Sequence, residues 1–106
     1  MADEYVIVLS TLPAGAEPPR LARTLVEERL AACVNILPAM TSVYRWKDGI
    51  EQDAEHQLVM KTTKARVPAL WERLRELHPY EVPELIVVPI IDGNETYLTW
   101  IGESTR

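Results

Sequence analysis

Residues 40–62 read Met-Thr-Ser-Val-Tyr-Arg-Trp-Lys-Asp-Gly-Ile-Glu-Gln-Asp-Ala-Glu-His-Gln-Leu-Val-Met-Lys-Thr, and this stretch decides the fold. Its first part, Met40 to Lys47, is rich in β-branched and aromatic side chains and reads as a strand. Alternation puts Tyr44 and Trp46 on one face, with Val43 and Arg45 on the other. Asp48-Gly49 between two extended segments is a hairpin signal, because the favoured two-residue turns need positive φ that Gly tolerates. The return strand spans 50–62 and is clearest over Gln57–Thr62. Thr62 or Thr63 is placed to cap the helix that follows.

Working outward, residues 64–78 carry Val67, Leu70, Trp71, Leu74 and Leu77 at helical spacing, with Pro68 inside the first turns. His78-Pro79-Tyr80-Glu81-Val82-Pro83 then reads as a stiff extended connector. Residues 84–91 form an apolar strand, Asp92-Gly93-Asn94 a turn, and 95–102 a short helix. On the other side, Tyr5–Thr11 is a buried strand and the proline-rich 12–19 a loop. Residues 19–31 form a helix with Leu21, Ala22, Leu25, Val26 and Leu30 inward. Cys33–Leu37 is a strand interrupted by Pro38, which marks an edge, a bulge or a bend. The order is β-α-β-β-α-β with a terminal helix. That is the split βαβ, ferredoxin-like arrangement, an α+β fold with both helices on one face of an antiparallel sheet.

The chain has 106 residues, enough for a single domain over 1–106 but for only a modest core unless copies share surface. One Cys and two His exclude, within one chain, a zinc site of four thiolates or of two thiolates and two imidazoles, and any internal disulfide. A net charge of −5 has the wrong sign for non-specific binding to nucleic acid. No apolar run approaches a membrane span, and the acidic start does not resemble a signal peptide. These features predict a soluble cytoplasmic protein with neither nucleic-acid nor membrane partners. Nucleotide-binding glycine motifs, zinc-protease motifs and Cys-x-x-Cys are all missing. The two strands expected at the sheet centre hold no aromatic residue to stack RNA bases. The loop after the first strand holds Glu17, with Arg20 only at its end, and is no anion cradle.

Among single residues, Cys33 reads either as a small buried hydrophobe or as a soft ligand. His78 ends a helix, where a positive ring complements the dipole, or serves as a ligand. His56 reads as an exposed strand residue. Lys61 in an apolar central strand needs a partner or a cleft rim, and Glu84 is a natural counter-charge. Tyr44, Trp46, Tyr80 and Trp100 are more large rings than an exposed surface carries. They belong to a core or to a subunit interface, the latter favoured for Trp46.

Five segments in this order resemble the CutA family of divalent-cation tolerance proteins: Ala31–Asn35, Ser42–Trp46, Met60–Thr63, His78–Glu84 and Tyr97–Ile101. The resemblance runs from about residue 5 to 102. It implies a ferredoxin-like domain in a tight homotrimer of PII-like architecture, with the long hairpin engaged in pairing between subunits. It also implies a link to tolerance of copper and other divalent cations, with no established catalytic reaction. Cys33 and His78 match common family positions and become the metal candidates, for weakly bound Cu(II) or another divalent cation. Lys61, Tyr80, Glu84, Trp46 and Trp100 become candidates for an intersubunit cleft. Members argued to bind copper carry Cys where this chain has Ser10, and a His pair where it has Leu77-His78. The rival expectation is a sensor of a small anionic metabolite, with Lys61 supplying charge and Tyr80 and Trp46 supplying shape. A third is a small enzyme using Lys61 and Glu84, for which no reaction suggests itself.

Overall fold

The computed structural model describes residues 3–106. Its elements are β1 (Tyr5–Pro13), α1 (Pro18–Glu27), β2 (Cys33–Ile36), β3 (Met40–Trp46), β4 (Gly49–Thr63), α2 (Val67–Leu77, preceded by a 3-10 turn at Lys64–Arg66), β5 (Ile86–Pro89) and α3 (Glu95–Ser104). The sheet order is β2-β4-β1-β5, with β3 also paired to β4 and every pairing antiparallel. This is the expected α+β, ferredoxin-like order. β4 has 15 residues, which at about 3.3 Å per residue reach roughly 50 Å. It therefore sets the 47 Å long axis of the molecule, and its first half stands out as an arm with β3.

Alternation divides the sheet into two faces. Val6, Val8, Ser10 and Leu12 of β1 and Leu58, Met60 and Thr62 of β4 are buried on the helix side. The apolar ones among them pack with Leu21, Leu25, Leu70 and Leu74 in one core. Each such leucine contributes about 1.5–3 kcal/mol through removal from water. The alternate residues form the open face: Ile7 and Leu9 of β1, Val59 of β4, and Ile86 and Val88 of β5. Here Ile86 is 49% and Val88 40% exposed in the single chain.

Helix α1 is shorter than its apolar pattern suggested. Arg29 adopts φ 60°, Arg29 N–H donates to Val26 O, and Leu30 N–H donates to Leu25 O, both at 3.0 Å. That is a Schellman stop built on arginine in the usual glycine position, and it still returns Leu30 to the core. The expected threonine cap also differs. Thr63 makes no side-chain cap bond, while Thr62 Oγ1 donates to Leu30 O at 2.8 Å and ties the helix stop to β4.

Pro38 marks a register change. In β2, odd-numbered residues pair with odd-numbered residues of β4: Cys33 with Lys61 and Asn35 with Val59. In β3, even-numbered residues do so: Met40 with Glu55, Ser42 with Asp53, Tyr44 with Glu51. One extra residue in the 37–39 segment, a bulge, makes the switch. Its consequence is to turn Met40, Ser42, Tyr44 and Trp46 onto the open face. At the hairpin tip, Trp46 pairs with Gly49. The two-residue turn is thus Lys47-Asp48, with Lys47 at φ 56°, rather than Asp48-Gly49. Gly49 is the first residue of β4.

Candidate functional site

The open face carries a cavity of about 650 Å³ at the base of the arm, a volume typical of small-molecule sites. Its floor is Thr11 of β1 with Glu55 and Gln57 of β4. One wall is Met40, Ser42, Tyr44 and Trp46 of β3, and the other is the 79–84 connector. The bulge at Pro38 supplies the aromatic wall, since an unshifted β3 would send Tyr44 and Trp46 to the opposite side.

His78 fixes the connector. Its Nε2 donates to Thr11 O at 2.6 Å, and its Nδ1 accepts Tyr80 N–H at 3.0 Å. A ring that donates from one nitrogen and accepts at the other is neutral, with the proton on Nε2. The ring is 8% exposed, and the Tyr80 ring lies against it with centroids 4.9 Å apart. The expected complement between a positive His78 and the helix dipole is therefore not what this residue does. It is a two-ended clamp.

Below it, Gln57 Nε2 donates to Ser10 O at 2.6 Å and to Glu84 Oε2 at 3.0 Å. Tyr80 OH donates to Glu55 Oε2 at 2.7 Å, and Tyr44 OH donates to the Asp53 carboxylate. Both phenols hold their protons more firmly than usual. The Asp53 hydrogen bond comes first for Tyr44, pushed up to about 12. Burial comes first for Tyr80, then its bond to Glu55. Each phenol thus stays a donor to a carboxylate across the physiological range.

The sequence-derived candidates divide. Trp46, Tyr80 and Glu84 line the cavity. Lys61 does not: its Nζ donates to Asn35 Oδ1 at 2.7 Å, further along the open face. Trp100 lies on α3, stacked against Tyr97 at 5.3 Å, and is also apart from the cavity within one chain. Cys33 is half-buried opposite Lys61, with Sγ 3.8 Å from Asn35 Oδ1. His78 packs beside Thr11, whose partner on β4 is Gln57. Four residues, roughly 13 Å, separate Gln57 from Lys61, so a single chain does not bring Cys33 and His78 together. Among the described residues no group of three or more His, Cys, Asp or Glu side chains is arranged to hold a metal ion. His56 is half-buried rather than exposed, its Nδ1 2.8 Å from Leu37 O.

The sequence alone does not single out Glu55 and Gln57. Glu55 is a carboxylate only 6% exposed. The signal was the alternation Glu51, Asp53, Glu55, Gln57, a polar stripe at period two that shares a face with Tyr44 and Trp46 only once the register is known.

Residues 6–104 match the family model described as CutA1 divalent ion tolerance protein. The chain is 50% identical to the divalent-cation tolerance protein CutA of Thermus thermophilus, over 93% of this chain and 96% of that protein. The structure of the PII-like protein CutA from Nostoc superposes with a TM-score of 0.88 at 36% identity, covering 95% of this chain and 97% of that one. That of the protein titled periplasmic divalent cation tolerance protein CutA from Archaeoglobus fulgidus superposes with a TM-score of 0.91 at 30% identity, covering 96% and 99%.

Proposed function

Starting from the fact that the chain belongs to the CutA1 divalent ion tolerance family, we propose that it acts as a non-catalytic homotrimer in divalent-cation tolerance, with the open-face cavity as its response site. The observation that carries this reading is one of sign. Every charged side chain lining the cavity, Glu55, Glu81 and Glu84, is a carboxylate. Such a site attracts cations and repels anions. Few ligands converge, so Cu(II) or another divalent cation is held weakly and exchanges readily. His78 has both ring nitrogens committed, and Cys33 does not line the cavity, so the carboxylates carry the binding there. The trimer is supported by the apolar open face, where Ile86 and Val88 are exposed in the single chain. A cytoplasmic location fits the lone unpaired thiol.

A second reading, PII-like sensing of a small metabolite, is favoured by the aromatic wall of Tyr44, Trp46 and Tyr80. Its anionic form loses support, because Lys61 lies outside the cavity. Calorimetric titration of the assembled protein with Cu(II) tests the first reading. Weak binding that is lost in Glu55→Gln/Glu84→Gln and kept in His78→Gln is expected. Affinity untouched by the carboxylate changes would move the site elsewhere, and its loss in Cys33→Ser alone would place it at the thiol.

A further inference from the structure

Within one chain, the carboxylate at the floor of the cavity has no counter-charge among the described residues. Glu55 is 6% exposed, and the hydrogen bond it accepts from Tyr80 OH is neutral in charge. Among the described residues the ion pairs engage Glu4, Glu17, Glu27, Glu28 and Glu76, and none reaches Glu55 or Glu84. A buried carboxylate left unpaired is costly, and a cation brought to it from outside removes that cost.

The walls say which kind of cation. A hard divalent ion takes six or more oxygens around one point, and the cavity gathers no such set. It offers instead two separated carboxylates, Glu55 and Glu84, beside the rings of Tyr44, Trp46 and Tyr80; Lys47 Nζ covers one side of Trp46 at 5.9 Å, and His78 covers one side of Tyr80. Both phenol hydroxyls donate to carboxylates, Tyr44 to Asp53 and Tyr80 to Glu55, which leaves the ring carbons as apolar surface. Aromatic faces with a nearby carboxylate form the surroundings in which organic ammonium groups bind, by cation–π attraction and ion pairing together. About 650 Å³ admits such a molecule with its apolar body, whereas a bare metal ion would leave most of that space unfilled.

We infer that the preferred cation of this cavity is an organic ammonium ion of small-molecule size, its cationic nitrogen at Glu55 and its apolar body against Trp46, with a divalent ion as the weaker competitor. The inference rests on the reading of the cavity as a cation site, and it names the class of cation.

Three probes of one shape and different charge test it: benzylammonium, benzyl alcohol and benzoate, titrated calorimetrically into the assembled full chain at physiological salt. Benzylammonium is expected to bind roughly tenfold more tightly than benzyl alcohol, with benzoate the weakest. Glu55→Gln should erase the preference for the ammonium, and Trp46→Leu should weaken all three probes. Glu84→Gln serves as the charge variant if Glu55→Gln does not fold, as judged by circular dichroism. Equal binding of all three probes would overturn the inference, leaving an apolar pocket without charge selection. No benzylammonium binding alongside carboxylate-dependent Cu(II) binding would overturn it while leaving the cation reading intact. Absence of both would remove both.

Discussion

The two faces of the sheet are built from the same strands and differ in what covers them. On the helix face, Val8, Leu12, Leu58 and Met60 are fully enclosed by α1 and α2. On the open face, Val88 pairs with Ile7 of β1 and keeps 40% of its surface. The first face is satisfied within the chain. The second carries apolar surface that a monomer would leave wet, together with the polar network of Gln57, Glu84, Tyr80 and Glu55. The lesson is a division of labour, with stability on one face, and assembly and ligand response on the other.

The largest effect should come from breaking the covered face. Leu58→Ala opens a void in a site that cannot collapse, costing about 2–5 kcal/mol of unfolding free energy in denaturant titration. Val88→Asp on the open face should leave the protomer folded by circular dichroism. It should instead shift the mass seen by light scattering from three times 12.1 kDa towards one. A mass already at one chain in the wild type would refute the trimer.

A subtler break tests the bulge. Deleting Pro38 removes the extra residue and should return β3 to the register of β2, turning Tyr44 and Trp46 off the open face. The expected readout is loss of ligand-induced change in Trp46 fluorescence, measured in a Trp71→Phe/Trp100→Phe background, with the secondary-structure signal retained.

The smallest effect is alkaline. The folded-state values of Tyr44 and Tyr80 lie above the ordinary 10. Below that value both folded and unfolded chains keep the proton, and the contribution is complete. As pH rises from about 10 through the folded values, about 12 for Tyr44, the unfolded chain releases protons that the folded chain retains. Stability is lost over that window. Tyr44→Phe should flatten part of the loss in thermal melts, whereas an unchanged slope would mean that its bond to Asp53 does not persist in solution.

Much of the covered face was legible in the sequence, because periodicity reports burial directly. The stripe Leu70, Trp71, Leu74, Leu77 located α2, and the apolar run before Lys61 marked β4 as a central strand. The open face was less legible, because its arrangement depends on register. Pro38 signalled an irregularity but not its sense, and that sense decides where Tyr44 and Trp46 point. The hairpin tip was misplaced by one residue because Lys47, not Gly49, takes positive φ. Glu55 was hidden among other acidic residues of an exposed arm, and only its place beneath Tyr80 makes it buried. The need of Lys61 for a partner in a central strand was legible, but not that Asn35 supplies it.

The three tryptophans give the most direct test of where cations bind. Trp46 lines the open-face cavity, Trp71 packs against the helix-side core beside Arg75, and Trp100 lies on α3. Titrating Mn(II) into the assembled protein while following the three indole N–H resonances compares these regions in one experiment. Selective broadening of Trp46 at the lowest metal concentrations is the predicted result. Earlier broadening of Trp71 or Trp100, or equal broadening of all three, would contradict a cation site at the open-face cavity.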